Sequence, residues 1–381
     1  MIIINMLLLL MLLIWLQRFV YRRYWNKNLT MQISFSASSA YEGERLTLSE
    51  VLTNRKLLPL PWLAAKFQIS RNLVFDEQGH SVVSDAYYQN DVFAVSMYQR
   101  ITRSQEFLCA RRGYYRIQSM DLVSSNIFIS DKLVAHLPCG AELTVFPRII
   151  SAPALDIYFR QLFGDIEVRR FTNPDPFAYR GIREYSMGDD FRSINFKATA
   201  KTGELMVNVN SSTASQELAI LLNLEEYSAW SHDSVFEEAI RIAASVAELA
   251  IAEGLSVSLY SNACAAVTGL PVSELAGSGR AHLSTILGKL ARIDLKPPRG
   301  DMSRILHGIN NSSPYYLLIS SNCRGGIVDA HGDMLDRGMS VRWLIPALAD
   351  DELMIKLSPS ITRWEVKPHE HTTSFSEKAA G

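Results

Sequence analysis

Tyr179–Asn208 reads YRGIREYSMGDDFRSINFKATAKTGELMVN and stands between two halves of different pattern. Five basic residues (Arg180, Arg183, Arg192, Lys197, Lys201) and four acidic ones (Glu184, Asp189, Asp190, Glu204) lie among aromatics here. Gly181, Gly188 and Gly203 break the stretch into short segments. A solvated charge run is usually of one sign and poor in aromatics, so this one has another use. Two uses fit: a salt-bridge network pinning a loop between folded layers, or a site where arginine forks receive a carboxylate or phosphate. No nucleophile–base pair accompanies the charges, which favours the network. Asp189 and Asp190 look like a paired acid–base site, but cations beside them would lower their pKa and make them poor proton donors.

Working backwards from this stretch, residues 151–212 read as a linker carrying the charged segment, with a helix over Ala154–Leu162 and a break at Asn173–Pro176. Leu29 to about Ile150 is β in pattern. Met31–Ser36 and Leu46–Val51 alternate apolar and polar, with a turn at Glu42-Gly43. Further strands are expected at Leu63–Ser70, Val92–Arg100, Glu106–Ala110, Tyr114–Ser119, Asn126–Ile129 and Leu143–Phe146, and Asn54–Trp62, with two prolines, as a connection. Short strands at such intervals predict an antiparallel β-sandwich over 29–150.

Forward of the stretch, the alternating Leu205–Val209 is a strand, and residues 213–367 read as α/β. Leu218–Leu224 is a continuous apolar run, as a strand covered on both faces requires. Val235–Glu253 repeats apolar residues at steps of three and four and stops at Gly254. Strands at Leu255–Tyr260, Tyr315–Ser320, Val341–Ile345 and Ile361–Val366 alternate with helices at His282–Ile293, Asp301–Ile309 and Ile327–Arg337. That alternation predicts a mainly parallel sheet. The polar tail, 368–381, reads as disordered.

The most apolar run lies at the N-terminus, Met1–Leu16, and extends to Tyr21 with only Asn5, Gln17 and Arg18 as interruptions. It has about the 20 residues that a membrane-crossing helix needs. Cations follow the run (Arg18, Arg22, Arg23, Lys27) and none precedes it, unlike a cleaved signal peptide. Residues 1–25 are therefore expected to be a single transmembrane anchor in the cell membrane, with the body cytoplasmic. Trp15, Tyr21, Tyr24 and Trp25 suit an interfacial belt. The whole is expected to be an α+β multidomain protein. A net charge of −1 gives no electrostatic case for nucleic acid. Cys109, Cys139, Cys264 and Cys323 are scattered, without metal-ligand spacing.

The segments Gly181–Tyr185, Gly188–Arg192, Ile194–Lys197, Thr199–Lys201 and Gly203–Leu205 carry a resemblance. They are similar to the signature of a bacterial membrane-associated family, domain of unknown function 58, whose C-terminal part is similar to von Willebrand factor A domains. Phe196 stands where that family usually has Trp, Lys201 where it has Arg, and Met187 where it has Pro. The resemblance implies a von Willebrand A-like fold for residues 213–367. In that fold an Asp-x-Ser-x-Ser run after the first strand and later oxygens hold a divalent cation. The corresponding positions here are Asn223, Glu225, Tyr227 and Asn322, so no metal and no cofactor is expected. The resemblance also implies a MoxR-type AAA+ ATPase as partner.

The expectation is a membrane-anchored, non-enzymatic scaffold or adaptor, aiding assembly or maturation of other proteins. Its signature residues would be Arg180, Arg183, Glu184, Tyr185, Gly188, Asp189, Asp190, Arg192, Lys197 and Lys201. The alternatives are a hydrolase using the Asp/Arg cluster of 180–201 and a metal-dependent adhesion module.

Overall fold

The computed structural model describes residues 2–75, 81–83, 86–126, 131–151, 155, 179–187, 189–210, 217–225, 233–296, 299–310, 314–351 and 355–366. Most of the expected helix at 154–162, the break at 173–176, the end of the strand at 126–129, Gly188, Tyr227, the side chain of Arg180 and the tail lie outside these residues. The chain divides into two compact units. One is Met1–Arg148 with Leu290–Arg292, and the other is Ile149–Lys289 with Ile293–Gly381.

The first unit begins with helix α1 (Ile2–Tyr24), whose apolar side chains are exposed from Ile3 to Leu16. It is long and apolar enough to cross a membrane. Its last turns belong to the unit's fold. Residues 18, 21 and 25 fall on one helical face at steps of three and four. Tyr21 and Trp25 are buried in the hydrophobic core, so they are packing residues and not part of an exposed belt. The Tyr21 hydroxyl donates to the Pro59 carbonyl at 2.8 Å. Arg18 forms a two-pronged contact with Asp131 at 3.2 and 3.0 Å. Trp15, one turn earlier, and Tyr24 stay exposed.

Two sheets share that core. One has the order β1 (Leu29–Phe35), β3 (Arg45–Asn54), β8 (Arg100–Cys109), β5 (Leu73–Phe75), all antiparallel. The other runs β2 (Ser39–Tyr41), β10 (Lys132–Phe146), β9 (Gly113–Ser125), β4 (Leu60–Ser70), β7 (Ala86–Val95), β6 (Ser81–Val83). Only β2 lies parallel to its neighbour. Alternation delivers Leu29, Met31 and Ile33 to the core from β1, Leu48 and Leu52 from β3, and Leu143 and Val145 from β10.

Two strand expectations are corrected. Val92–Arg100 is not one strand: β7 ends at Val95, and Ser96–Gln99 turns through Tyr98 at φ 51° before β8 starts. Gln99 accepts the Ser96 N–H at 2.7 Å, which closes a turn holding neither Gly nor Pro. The connection at 54–62 also ends early, because β4 takes in Pro61 at a register shift between Leu60 and Leu63. Proline has no N–H to give a ladder, and an irregularity is where a strand accommodates it.

In the second unit β11 (Tyr179–Glu184) and β12 (Met206–Asn210) form a two-stranded antiparallel sheet. Between them lie a single 3-10 turn (Phe191–Ser193) and the short helix α2 (Phe196–Thr202). A six-stranded sheet follows, in the order β15 (Pro271–Gly277), β14 (Ser256–Cys264), β13 (Glu217–Asn223), β16 (Tyr315–Ser320), β17 (Ser340–Leu348), β18 (Ile361–Val366). Four of its pairings are parallel, while β15 is antiparallel on one edge. The sheet is thus mixed, though parallel at its centre. β13 is buried from Leu218 to Asn223, as its unbroken apolar run demands.

Helices α3 (Asp233–Ala252), α4 (Gly279–Ala291), α5 (Met302–Gly308) and α6 (Gly325–Asp336) supply the connections. Gly254 ends α3 at φ +80°, a left-handed conformation that glycine adopts without steric cost. Asp301 caps α5 by accepting the Ser303 N–H at 2.9 Å. β15 is absent from the sequence reading because, of its residues, only Val272 is buried, so no hydrophobic run marks it.

Candidate functional site

The β11–β12 hairpin is built by local capping. Tyr185 N–H donates to Leu205 O at 2.8 Å and Asn195 N–H to Met206 O at 2.8 Å, so the connection folds back on the strand pair. The Asn195 side chain caps α2 by accepting Ala198 N–H at 3.0 Å, and its amide donates to Asn208 at 2.7 Å. Gly203, at φ +81°, closes the same helix. Asp190 caps the 3-10 turn, accepting from Arg192 N–H at 3.0 Å.

The Arg183 guanidinium meets Asp189 as a fork, at 2.7 and 2.6 Å, and Asp189 also accepts Ser186 N–H at 2.8 Å. Those hydrogen bonds, Arg183 first, hold the Asp189 carboxyl below the usual carboxylate range. Hydrogen bonding to Asp189 in turn raises the Arg183 pKa. Tyr185 and Phe191 stack with ring centres 5.8 Å apart.

The dense ionic network expected here reduces, among the described residues, to this one pair. Glu184, Arg192, Lys197 and Lys201 are exposed and take part in no ion pair among the described residues. What the sequence reading missed is apolar: Met187 is fully exposed (102%), Phe191 is 72% exposed and Phe196 77%. Leu205 and Ile182 are exposed as well. The available signal was apolar residues with neither helical nor strand spacing inside a charged segment, which no core claims.

A second polar group occupies the ends of β13, β14 and β16. Asn223 Oδ1 accepts both Glu225 N–H at 3.0 Å and Asn262 Nδ2 at 2.8 Å, while Asn223 Nδ2 donates to Ser320 Oγ at 2.9 Å. Asn262 Nδ2 also reaches Gly300 O at 2.9 Å, and Asn262 Oδ1 accepts Leu224 N–H at 3.0 Å. Asn322 Nδ2 donates to Glu225 at 3.1 Å, and its oxygen takes Arg324 N–H at 3.0 Å. Asn223, Asn262, Ser320 and Asn322 are all buried. The donor set does not suit Mg2+: the amides are neutral, their oxygens are occupied, and Glu225 is the single charge. Among the described residues no cluster of three or more His, Cys, Asp or Glu could hold a metal. The four cysteines are free thiols.

In the first unit Glu50 of β3 and Asp91 of β7 are buried together. Asp91 is served by Arg103 at 2.9 Å and Gln89 at 2.9 Å. Burial, and then the Asp91 charge, push the Glu50 carboxyl up to about 9, so it is protonated at neutral pH.

Residues 181–322 match the model of the family described as protein of unknown function DUF58. The match supports the DUF58 family for that segment. It begins in the hairpin and ends at Asn322, so both polar groups of the second unit fall within it. Comparison with curated proteins finds no match. Among solved structures, the chain is similar to a non-cellulosomal cohesin from the hyperthermophilic archaeon Archaeoglobus fulgidus, at 10% identity, covering 34% of this chain and 97% of that one, with a TM-score of 0.21. It is similar also to Spo0M, a sporulation control protein from Bacillus subtilis, at 9% identity, 42% and 58% coverage, and a TM-score of 0.19. At such scores neither likeness bears on fold or function.

Proposed function

We propose that the protein is a membrane-anchored, non-enzymatic scaffold or adaptor that meets a MoxR-type AAA+ ATPase through the exposed face of the β11–β12 hairpin. In this reading α1 is a single-pass anchor in the cell membrane and the body is cytoplasmic. The two sheets of the first unit are a β-sandwich, and the six-stranded sheet is von Willebrand A-like. The observation that carries the proposal is the exposure of Met187, Phe191 and Phe196 on a connection fixed by caps and by the Arg183–Asp189 fork. Large apolar side chains held outward and rimmed by Arg192, Lys197 and Lys201 have the composition of a protein-contact patch. An acidic, partly apolar surface on the ATPase would complement it.

Hydrolase chemistry draws no support from the same residues. Both Asp189 oxygens are engaged by Arg183 and Ser186, and Asp190 serves as a cap. The test is binding of a purified MoxR-type ATPase to the full chain in detergent. Binding to the wild type and loss in the triple variant Met187→Ser/Phe191→Ser/Phe196→Ser supports the proposal. No binding to the wild type, or equal binding to both, overturns it.

A further inference from the structure

Where α1 leaves its apolar run, a cavity of about 450 Å3 opens between the helix end and the loop before β4. Its walls are of two kinds. Val20, Tyr24, Leu57 and Leu58 give an apolar side, and Lys27 and Lys56 give a cationic one. The Lys56 ammonium is buried without a hydrogen-bond partner among the described residues, and its backbone is fixed where its carbonyl accepts Tyr98 N–H at 3.2 Å. The Lys27 ammonium sits 4.9 Å from the centre of the Tyr24 ring, at the rim. A buried ammonium with no acceptor is costly, and a ligand anion is the group that would satisfy it.

We propose that this cavity binds the headgroup phosphate of an anionic phospholipid drawn from the bilayer around α1. The inference rests on the membrane reading of α1, which places Tyr24 and Lys27 at the interface, where headgroups lie. Lys56 would hold the phosphate from within and Lys27 from the rim. Val20, Leu57 and Leu58 would take the glycerol and the first methylenes of an acyl chain. That apolar side is what selects a lipid over free phosphate, which would gain nothing from it. The volume is in the range of small-ligand sites. Leu57 is 69% exposed at the mouth, so the apolar wall is open to the surroundings of the helix. Burial lowers the Lys56 pKa to about 8, so the empty site can shed part of its charge, and a bound phosphate would hold it protonated.

The experiment uses the full chain reconstituted into vesicles of phosphatidylcholine, with or without phosphatidylglycerol. Flotation with the vesicles is read first, then the lipids retained on the protein after extraction into detergent. The wild type is expected to float with both vesicles and to retain phosphatidylglycerol over phosphatidylcholine by about tenfold or more. Lys56→Met keeps the length of the side chain without its charge. It should float equally, lose the preference, and melt no lower than the wild type in lipid-free detergent, because it removes an unpaired buried charge. Glycerol 3-phosphate in the aqueous phase should not displace the lipid.

Equal retention of the two lipids, an unchanged preference in Lys56→Met, or displacement by glycerol 3-phosphate overturns the lipid site and leaves the anchor standing. Failure to float with either vesicle removes the anchor, and the lipid site with it.

Discussion

Two polar clusters lie within the segment 181–322, and they spend their polar atoms in opposite ways. At the strand ends, Asn223, Asn262, Ser320 and Asn322 aim their side chains at one another and at nearby backbone, buried and almost neutral. In the hairpin, the capping bonds and the Arg183–Asp189 fork are used to hold a frame, and the groups left over point outward: Phe191, Phe196 and Met187 among exposed cations. A saturated amide cluster has little left to offer a ligand and works as structure. A stiff frame presenting unsatisfied apolar surface is arranged for contact. In a sheet of this kind the strand ends are the usual place to look for a site, and here the chemistry of the residues points elsewhere.

The comparison can be broken most forcefully at the amides. Asn262→Ala leaves Leu224 N–H and one lone pair of Asn223 Oδ1 buried without partners. It should cost about 2–4 kcal/mol in denaturant unfolding of the full chain in detergent. A change near zero would mean that the network is not holding the strand ends. The triple Met187→Ser/Phe191→Ser/Phe196→Ser variant should show the reverse profile. Its stability should move by less than about 1 kcal/mol, while affinity for the ATPase falls by about tenfold or more. A large loss of stability would show those side chains to be packed.

A third test sharpens the contrast between a saturated cluster and a strained one. Glu50 has a folded pKa near 9, above its ordinary value of 4.5. The folded state therefore keeps a proton that the unfolded state releases as pH rises through 4.5. Stability from this group is full below that point and is lost as pH climbs towards 9, with a limiting slope of about 1.4 kcal/mol per pH unit. Glu50→Gln should flatten this fall in unfolding measured across pH 5–9, and an unchanged slope would assign it to another group. The smallest effect is a null: excess Mg2+ should leave the melting temperature of the full chain unmoved, since the amide oxygens are taken. A rise would restore a cation to the strand ends.

How much of this could be read beforehand depends on whether a residue's role is local. The doubly buried run of β13, the three- and four-step spacing of α3 and its glycine stop, and the Asp301 cap are local signals, and the structure has them where the sequence places them. β15 escaped because an edge strand with a solvated face needs few apolar residues. Tyr21 and Trp25 have the composition of an interfacial belt, and only the docking of the helix end makes them core. In the charged stretch, charge points to the arginines, lysines and carboxylates, whereas exposure singles out Met187, Phe191 and Phe196. Their irregular spacing inside a charged segment is a signal in the sequence, but it identifies a surface only once the core that leaves them out is known.

The central claim, that the hairpin's outward face is the contact surface, is tested most directly by placing a photoreactive amino acid at Phe196 in the full chain expressed in cells. The account predicts a cross-link from this position to the AAA+ ATPase, and none from a control at the exposed Glu365 of β18. Cross-links from Phe196 only to its own chain, or equal capture from both positions, would contradict it.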